Sequence, residues 1–132
     1  MIDIATVRHN LQARAERERA GREARRAAAE RAVSEAVQKA VVNFPSVERV
    51  FLFGSVTRPN AFRPDSDVDV AIDGLGVADY FSIWRAIEEA APGWAIDVRD
   101  ITQPSEFAER VRSTGRLIYE RVNLSSVEKP LW

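Results

Sequence analysis

The feature that most limits what this chain can become is the stretch Phe53-Gly54-Ser55-Val56-Thr57-Arg58-Pro59-Asn60-Ala61-Phe62-Arg63-Pro64-Asp65-Ser66-Asp67-Val68-Asp69-Val70. An apolar run ends in Gly-Ser, a polar loop with two prolines follows, and a second apolar alternation opens with two aspartates one residue apart. Residues i and i+2 of a strand point to the same side, so Asp67 and Asp69 place two carboxylates on one face. Two such neighbours repel each other unless a cation lies between them. Hard oxygen donors of this kind suit Mg2+ or Mn2+, which commonly bind through one or two carboxylates plus the phosphates of a substrate. The Gly-Ser turn beside them is a phosphate holder by position. The expectation is a nucleotide-triphosphate site between two strands.

The rest of the chain is read around that site. Between Asp3 and Asn43 there is no proline and only Gly21 in a run rich in Ala, Arg and Glu, which predicts one long helix or two meeting near Gly21. Ile4, Val7 and Leu11 mark one apolar stripe at helical spacing, and Val33, Ala36, Val37, Ala40, Val41 and Phe44 mark another. From Gln12 to Arg31 there is no Val, Ile, Leu or Phe. Residues 1–32 are therefore read as a projecting helical arm, solvated in its Arg-rich middle, and 33–121 as the folded domain. Residues 122–132 form a tail without a clear period. Residues 1–44 carry nine Lys/Arg against six Asp/Glu, and residues 45–132 carry ten against fourteen, an asymmetry too small to imply nucleic acid as a partner.

After Pro45, Val47–Phe53 reads as a central strand and Val68–Asp73 as a second, with Val68, Val70 and Ile72 facing the core. Asp79 is a candidate cap for a helix to about Ala91, with Tyr80, Ile83, Trp84 and Ile87 inward. Trp94–Ile101 reads as a third strand. A helix after Pro104 carries Phe107, Ala108 and Val111, and Arg116–Glu120 reads as a short edge strand. The order α-β-β-α-β-α-β predicts an α/β fold: a small mixed sheet with helices on one face, preceded by the long N-terminal helix. Without cysteine there is neither a disulfide framework nor a thiolate metal site, and no apolar run is long enough to span a membrane. Met1-Ile2-Asp3 leads into no signal-peptide pattern, so a cytoplasmic location is expected.

Two-metal phosphoryl transfer needs a further anion near the attacking hydroxyl. The third strand offers Asp97 and Asp100. Ile96 and Val98 share a parity with Asp100, so Asp97 shares the polar face with Asp67 and Asp69, and alternation selects it. Taken singly, each piece has a plainer reading: paired aspartates on a solvated edge, Gly-Ser as an ordinary turn, Arg58 and Arg63 as surface residues. Their joint order favours the site. His9 is read as a surface residue, Trp84, Trp94 and Phe107 as core, and Asp65 and Asp73 as solvated flanks.

The sequence Leu52-Phe53-Gly54-Ser55, followed after eleven residues by Asp67-Val68-Asp69 and later by Ile96-Asp97-Val98, resembles the nucleotidyltransferase superfamily of the DNA polymerase beta type. It is most similar to the minimal nucleotidyltransferase branch, over about Val33 to Arg121. Arg58 falls where such proteins often have an arginine near the phosphates, and Ser66 matches the serine that often precedes the pair. Pro59 replaces the glycine that commonly follows that arginine. The resemblance implies that Gly54, Ser55, Arg58 and Ser66 bind the nucleotide, with Gly54 and Ser55 on the β and γ phosphates. Asp67, Asp69 and Asp97 would be catalytic and bind two Mg2+ ions, with Mn2+ as a substitute and ATP as substrate. Small members of this kind look like antitoxins paired with a HEPN-domain RNase toxin, and transfer of AMP to a toxin tyrosine is the implied reaction, with hetero-oligomer formation. The rivals are a non-catalytic antitoxin that masks its toxin and a stand-alone transferase acting on a small molecule or RNA end.

Overall fold

The structure is a computed structural model and describes residues 2–122. Its first helix, α1 (Ile4–Ala40), runs unbroken through Gly21 and is about 55 Å long at 1.5 Å per residue. Asp3 caps it: the side chain accepts from Ala5 N at 3.0 Å and from the Thr6 hydroxyl at 2.8 Å. The N-terminal stretch is held as helix by propensity and by i,i+4 pairs such as Arg14–Glu18 rather than by packing. Ile4 and Leu11 stay 72% and 60% exposed. Burial begins at Ala29 and continues through Val33, Ala36, Val37 and Ala40, one apolar face at helical spacing.

Four strands follow: β1 (Arg49–Phe53), β2 (Val68–Asp73), β3 (Ile96–Asp100) and β4 (Arg116–Glu120), in the spatial order β3-β2-β1-β4. The pairs β1–β2 and β1–β4 are antiparallel, and β2–β3 is parallel, so the sheet is mixed with β1 and β2 at its centre. Two shorter helices connect them, α2 (Tyr80–Ala90) and α3 (Glu106–Thr114). Ser105 rather than a carboxylate caps α3, accepting from Ala108 N at 3.0 Å.

Alternation along the strands sorts the core into two layers. Val50, Leu52, Val68, Val70, Ile72, Ile96 and Val98 pack against α1 and against Ile83 and Ile87 of α2. Phe51 and Ala71, of the opposite parity, pack with Ile101 against Ala108 and Val111 of α3. The expected arrangement with helices on one face therefore holds for α1 and α2 but not for α3. The reason is local: Phe51, Phe53 and Ala71 leave an apolar patch on the second face, and the Phe53 and Phe107 rings meet edge to face at 5.3 Å. The loop before β2 also has an anchor. Phe62 is 1% exposed, with its ring 6.3 Å from that of Trp94. No helix among the described residues is long and apolar enough to cross a membrane. The expected C-terminal tail lies, but for Val122, outside the described residues.

Candidate active site

The two aspartates of the strand pair meet by register. In the parallel ladder Asp69 stands beside Asp97, and across the antiparallel ladder it stands opposite Phe53, the last residue before the Gly-Ser turn. Because Val68, Val70, Ile96 and Val98 fill the α1/α2 side, Asp69 and Asp97 take the other face, the one α3 covers only in part. Asp67 sits exposed one residue before β2, whose first residue is fixed by Val68 N donating to Ala95 O at 2.8 Å.

Gly54 shows how closely the turn approaches this cluster. Its φ is +74°, and a Cβ added there would clash with Asp69 Oδ2, with Asp69 Cγ only 3.3 Å away. Only glycine lets the backbone of the turn lie against the carboxylate. The turn itself, residues Gly54–Thr57, is one 3-10 turn tightened by Arg58 N donating to Ser55 O at 3.1 Å and by the Thr57 hydroxyl donating to Gly54 O at 2.7 Å.

The electrostatics follow from this crowding. Burial first, then the charges of Asp97 and Asp67, push the Asp69 carboxyl up to about 6, with Arg99 partly offsetting them. Arg99 Nε donates to Asp97 Oδ2 at 3.3 Å. The β3 edge is pinned on both sides of Asp97: Trp84 Nε1 donates to Ile96 O at 3.0 Å, and the Tyr80 hydroxyl donates to Val98 O. Those two aromatics read only as core in the sequence, yet their polar tips satisfy the outward carbonyls of an edge strand. Asp100 is spent elsewhere, accepting from Thr102 N at 2.9 Å and from the Thr102 hydroxyl.

Beside Gly54 lies a cleft of about 780 Å³ bounded by Phe53, Thr57, Arg58, Phe107, Arg110 and Arg116, among others. Three guanidinium groups among the lining residues suit an anion. Arg116 is ion-paired to Glu30, while Arg58 and Arg110 have no ion-pair partner among the described residues. Arg110 and Arg116 were not singled out in the sequence, since they reach the cleft only through α3 and through β4 pairing, where Arg116 stands opposite Leu52. Ser66 is engaged with the loop itself, its hydroxyl accepting from Arg63 N at 2.9 Å. Asp73, read as a solvated flank, is instead partly buried, with Arg112 at 3.5 Å reaching over from α3.

Among the described residues, no three carboxylate, imidazole or thiol groups stand together as a preformed ion cage. The donor set nonetheless fits Mg2+, which takes one or two carboxylates and completes its shell with water and substrate phosphates. Asp69 is an under-neutralised anion lying against a glycine cradle, a situation that a cation relieves.

No curated protein matches the chain significantly in sequence. Among solved structures, a toxin–antitoxin complex containing AMP-PNP is 19% identical with a TM-score of 0.54, over 67% of this chain and 73% of that one. A mutant of a toxin–antitoxin pair of the MntA type is 17% identical, with a TM-score of 0.54 over 67% and 73%. These likenesses establish the shared fold. The sequence profile described as "Polymerase beta, Nucleotidyltransferase" matches residues 35–123, a span that holds the glycine turn, the cleft and every aspartate of the cluster. With more than half its length inside that match, the chain belongs to the polymerase beta nucleotidyltransferase family.

Proposed function

We propose that the protein is an Mg2+-dependent nucleotidyltransferase antitoxin that moves AMP from ATP to a tyrosine of a partner HEPN-domain RNase toxin and thereby silences it in the cytoplasm. The observation that carries the reading is the contact of Gly54 with Asp69 in register with Asp97: a phosphate turn and two carboxylates on one face. Support for the antitoxin role comes from the fold neighbours, which are toxin–antitoxin complexes, one of them with AMP-PNP.

In this reading, amides of the Gly54–Ser55 turn bind the β and γ phosphates, and Arg58 approaches them from the cleft wall. Asp67 and Asp69 would hold the two ions, with Asp97 sharing the catalytic one. When bound, the ions neutralise the triphosphate and the charge that develops on the leaving oxygen. Asp97 takes the proton from the tyrosine hydroxyl as its oxygen bonds to the α phosphorus. The bond from that phosphorus to the α–β bridging oxygen breaks, and its electron pair leaves with pyrophosphate. Arg99, 3.3 Å from Asp97 Oδ2, would orient that carboxylate for this step.

The test is ATP labelled on the α phosphate, incubated with Mg2+ and the protein, with and without the product of the neighbouring gene. Label on a tyrosine of the partner, absent when Asp67 is replaced by Ala, is the expected outcome. Tight association without label would instead make the chain a masking antitoxin, and label on RNA or a small molecule would make it a stand-alone transferase.

A further inference from the structure

The arm and the site are physically joined. Two successive residues of α1, Arg25 and Arg26, lie outside the family match at 35–123, yet both donate to the loop that connects the phosphate turn to the carboxylate strand. Arg26 Nη1 donates to Val56 O at 2.9 Å, the carbonyl of the residue after Gly54-Ser55. Arg25 Nη2 donates to Pro64 O at 3.3 Å, two residues before Ser66, and the Arg25 guanidinium lies 4.9 Å above the Trp94 ring. Between these two points Phe62 is buried against the same Trp94.

Arg26 is itself held in place. Its guanidinium is shared between Glu23 at 2.6 Å and Glu30 at 2.9 Å, and only 14% of its side chain is exposed. Donation to Glu23 first and then to Glu30 keeps its pKa well above the usual arginine range. Glu30 also receives Arg116 from the cleft wall, so a single chain of contacts runs from the helix to the phosphate turn and to β4. A planar fork with five donors can serve a carbonyl and two carboxylates at once, and an ammonium cannot do so in the same geometry.

We propose that Arg25 and Arg26 are positioning residues for nucleotide binding, clamping the two ends of the 56–64 loop so that the Gly54–Ser55 turn and Asp67 are held at a fixed separation. This rests on the reading of the site as a nucleotidyltransferase centre. The fork of Arg26 sets the turn from behind, through Val56 O, without touching the nucleotide. Arg25 sets the far end, where the chain turns into Asp67-Val68-Asp69. Movement of the arm helix would then be felt at the phosphate turn.

The experiment uses the full chain carrying Arg26→Ala, Arg26→Lys, Arg25→Ala or, as a control on the solvated arm, Arg14→Ala. Calorimetric affinity for Mg2+ with AMP-PNP, amide exchange of residues 55–58, and KM and kcat for label transfer are measured together. Loss of a hydrogen bond to a charged group corresponds to about a tenfold weakening. Arg26→Ala is expected to raise the AMP-PNP dissociation constant and the KM for ATP about tenfold, to speed exchange at 55–58, and to leave kcat at saturation within about twofold. Arg26→Lys, which keeps the charge beside Glu23 and Glu30, is expected to fold as the wild type while showing the same KM defect. Arg25→Ala is expected to raise KM similarly, and Arg14→Ala to change nothing. Unchanged exchange and affinity in a folded Arg26→Lys or Arg25→Ala protein would overturn the clamp. If the wild type binds AMP-PNP but transfers no label, the transfer reading fails while affinity and exchange still decide the clamp.

Discussion

Asp69→Asn is expected to make the metal-free protein more stable at pH 8 and to leave it nearly inactive. The Asp69 carboxyl is raised from 3.8 to about 6 in the folded chain, chiefly by burial and then by Asp97 and Asp67. Below pH about 4 the group is protonated in both folded and unfolded chains. As pH climbs from there to about 6 the unfolded chain gives up the proton first, so the folded state loses stability across that window and stays lower above it. Asparagine carries no such penalty. For a group that is half in water the gain is on the order of 1 kcal/mol, a few degrees in Tm, read by thermal melts at pH 4 and pH 8 without divalent ions. Adding Mg2+ with AMP-PNP should raise the Tm of the wild type above pH 6 and leave that of the variant unmoved. Transfer should fall about 10³-fold, the several kcal/mol that a metal contributes to phosphoryl transfer. A variant less stable than the wild type at pH 8 would show that Asp69 is not strained by its neighbours.

Gly54→Ala addresses the same contact from the other side. At φ +74° an L residue is strained, and the new methyl would clash with Asp69 Oδ2. Either the turn lifts away from β2 or the carboxylate swings out of the cluster. A displacement of about 1 Å at a reacting centre costs about 10²-fold in rate, and that loss is expected here, with a drop in stability of only about 1–2 kcal/mol. The measurement is kcat/KM for label transfer beside a chemical melt. A comparable substitution at Gly21, which has nothing within 4 Å of its added Cβ, should leave transfer at the wild-type rate.

Much of the candidate site was legible because strand geometry carries it. Alternation alone places Asp67 and Asp69 together, and the same parity separates Asp97 from Asp100; register sets Asp97 beside Asp69, while Asp100 turns to Thr102. The central position of β1 followed from its apolar run, and β4 lies at an edge as expected although it is no shorter than β1. Other features depend on which elements meet, and periodicity is silent about that. The stripe Phe107, Ala108, Val111 looks the same whichever face of the sheet receives it, and only the patch left by Phe51 and Ala71 decides. Phe62, between two prolines, reads as loop, and its burial becomes visible only when Trp94, distant in sequence, is brought to 6.3 Å from its ring. Asp73 looked solvated because its partner Arg112 comes from α3. Arg25 and Arg26 were hidden within a helix whose composition is polar on every side, where a clamp and a solvated pair have the same appearance.

We propose that the Gly54–Ser55 turn and Asp67, Asp69 and Asp97 form one nucleotide–metal site. Crystals soaked with Mn2+ and AMP-PNP test it most directly, through anomalous scattering from the manganese. The expected result is a peak between the carboxylates of Asp67 and Asp69, with the β and γ phosphates on the turn and Asp97 bordering the same ion. Manganese bound away from these aspartates, with the nucleotide lying elsewhere on the sheet, would contradict it.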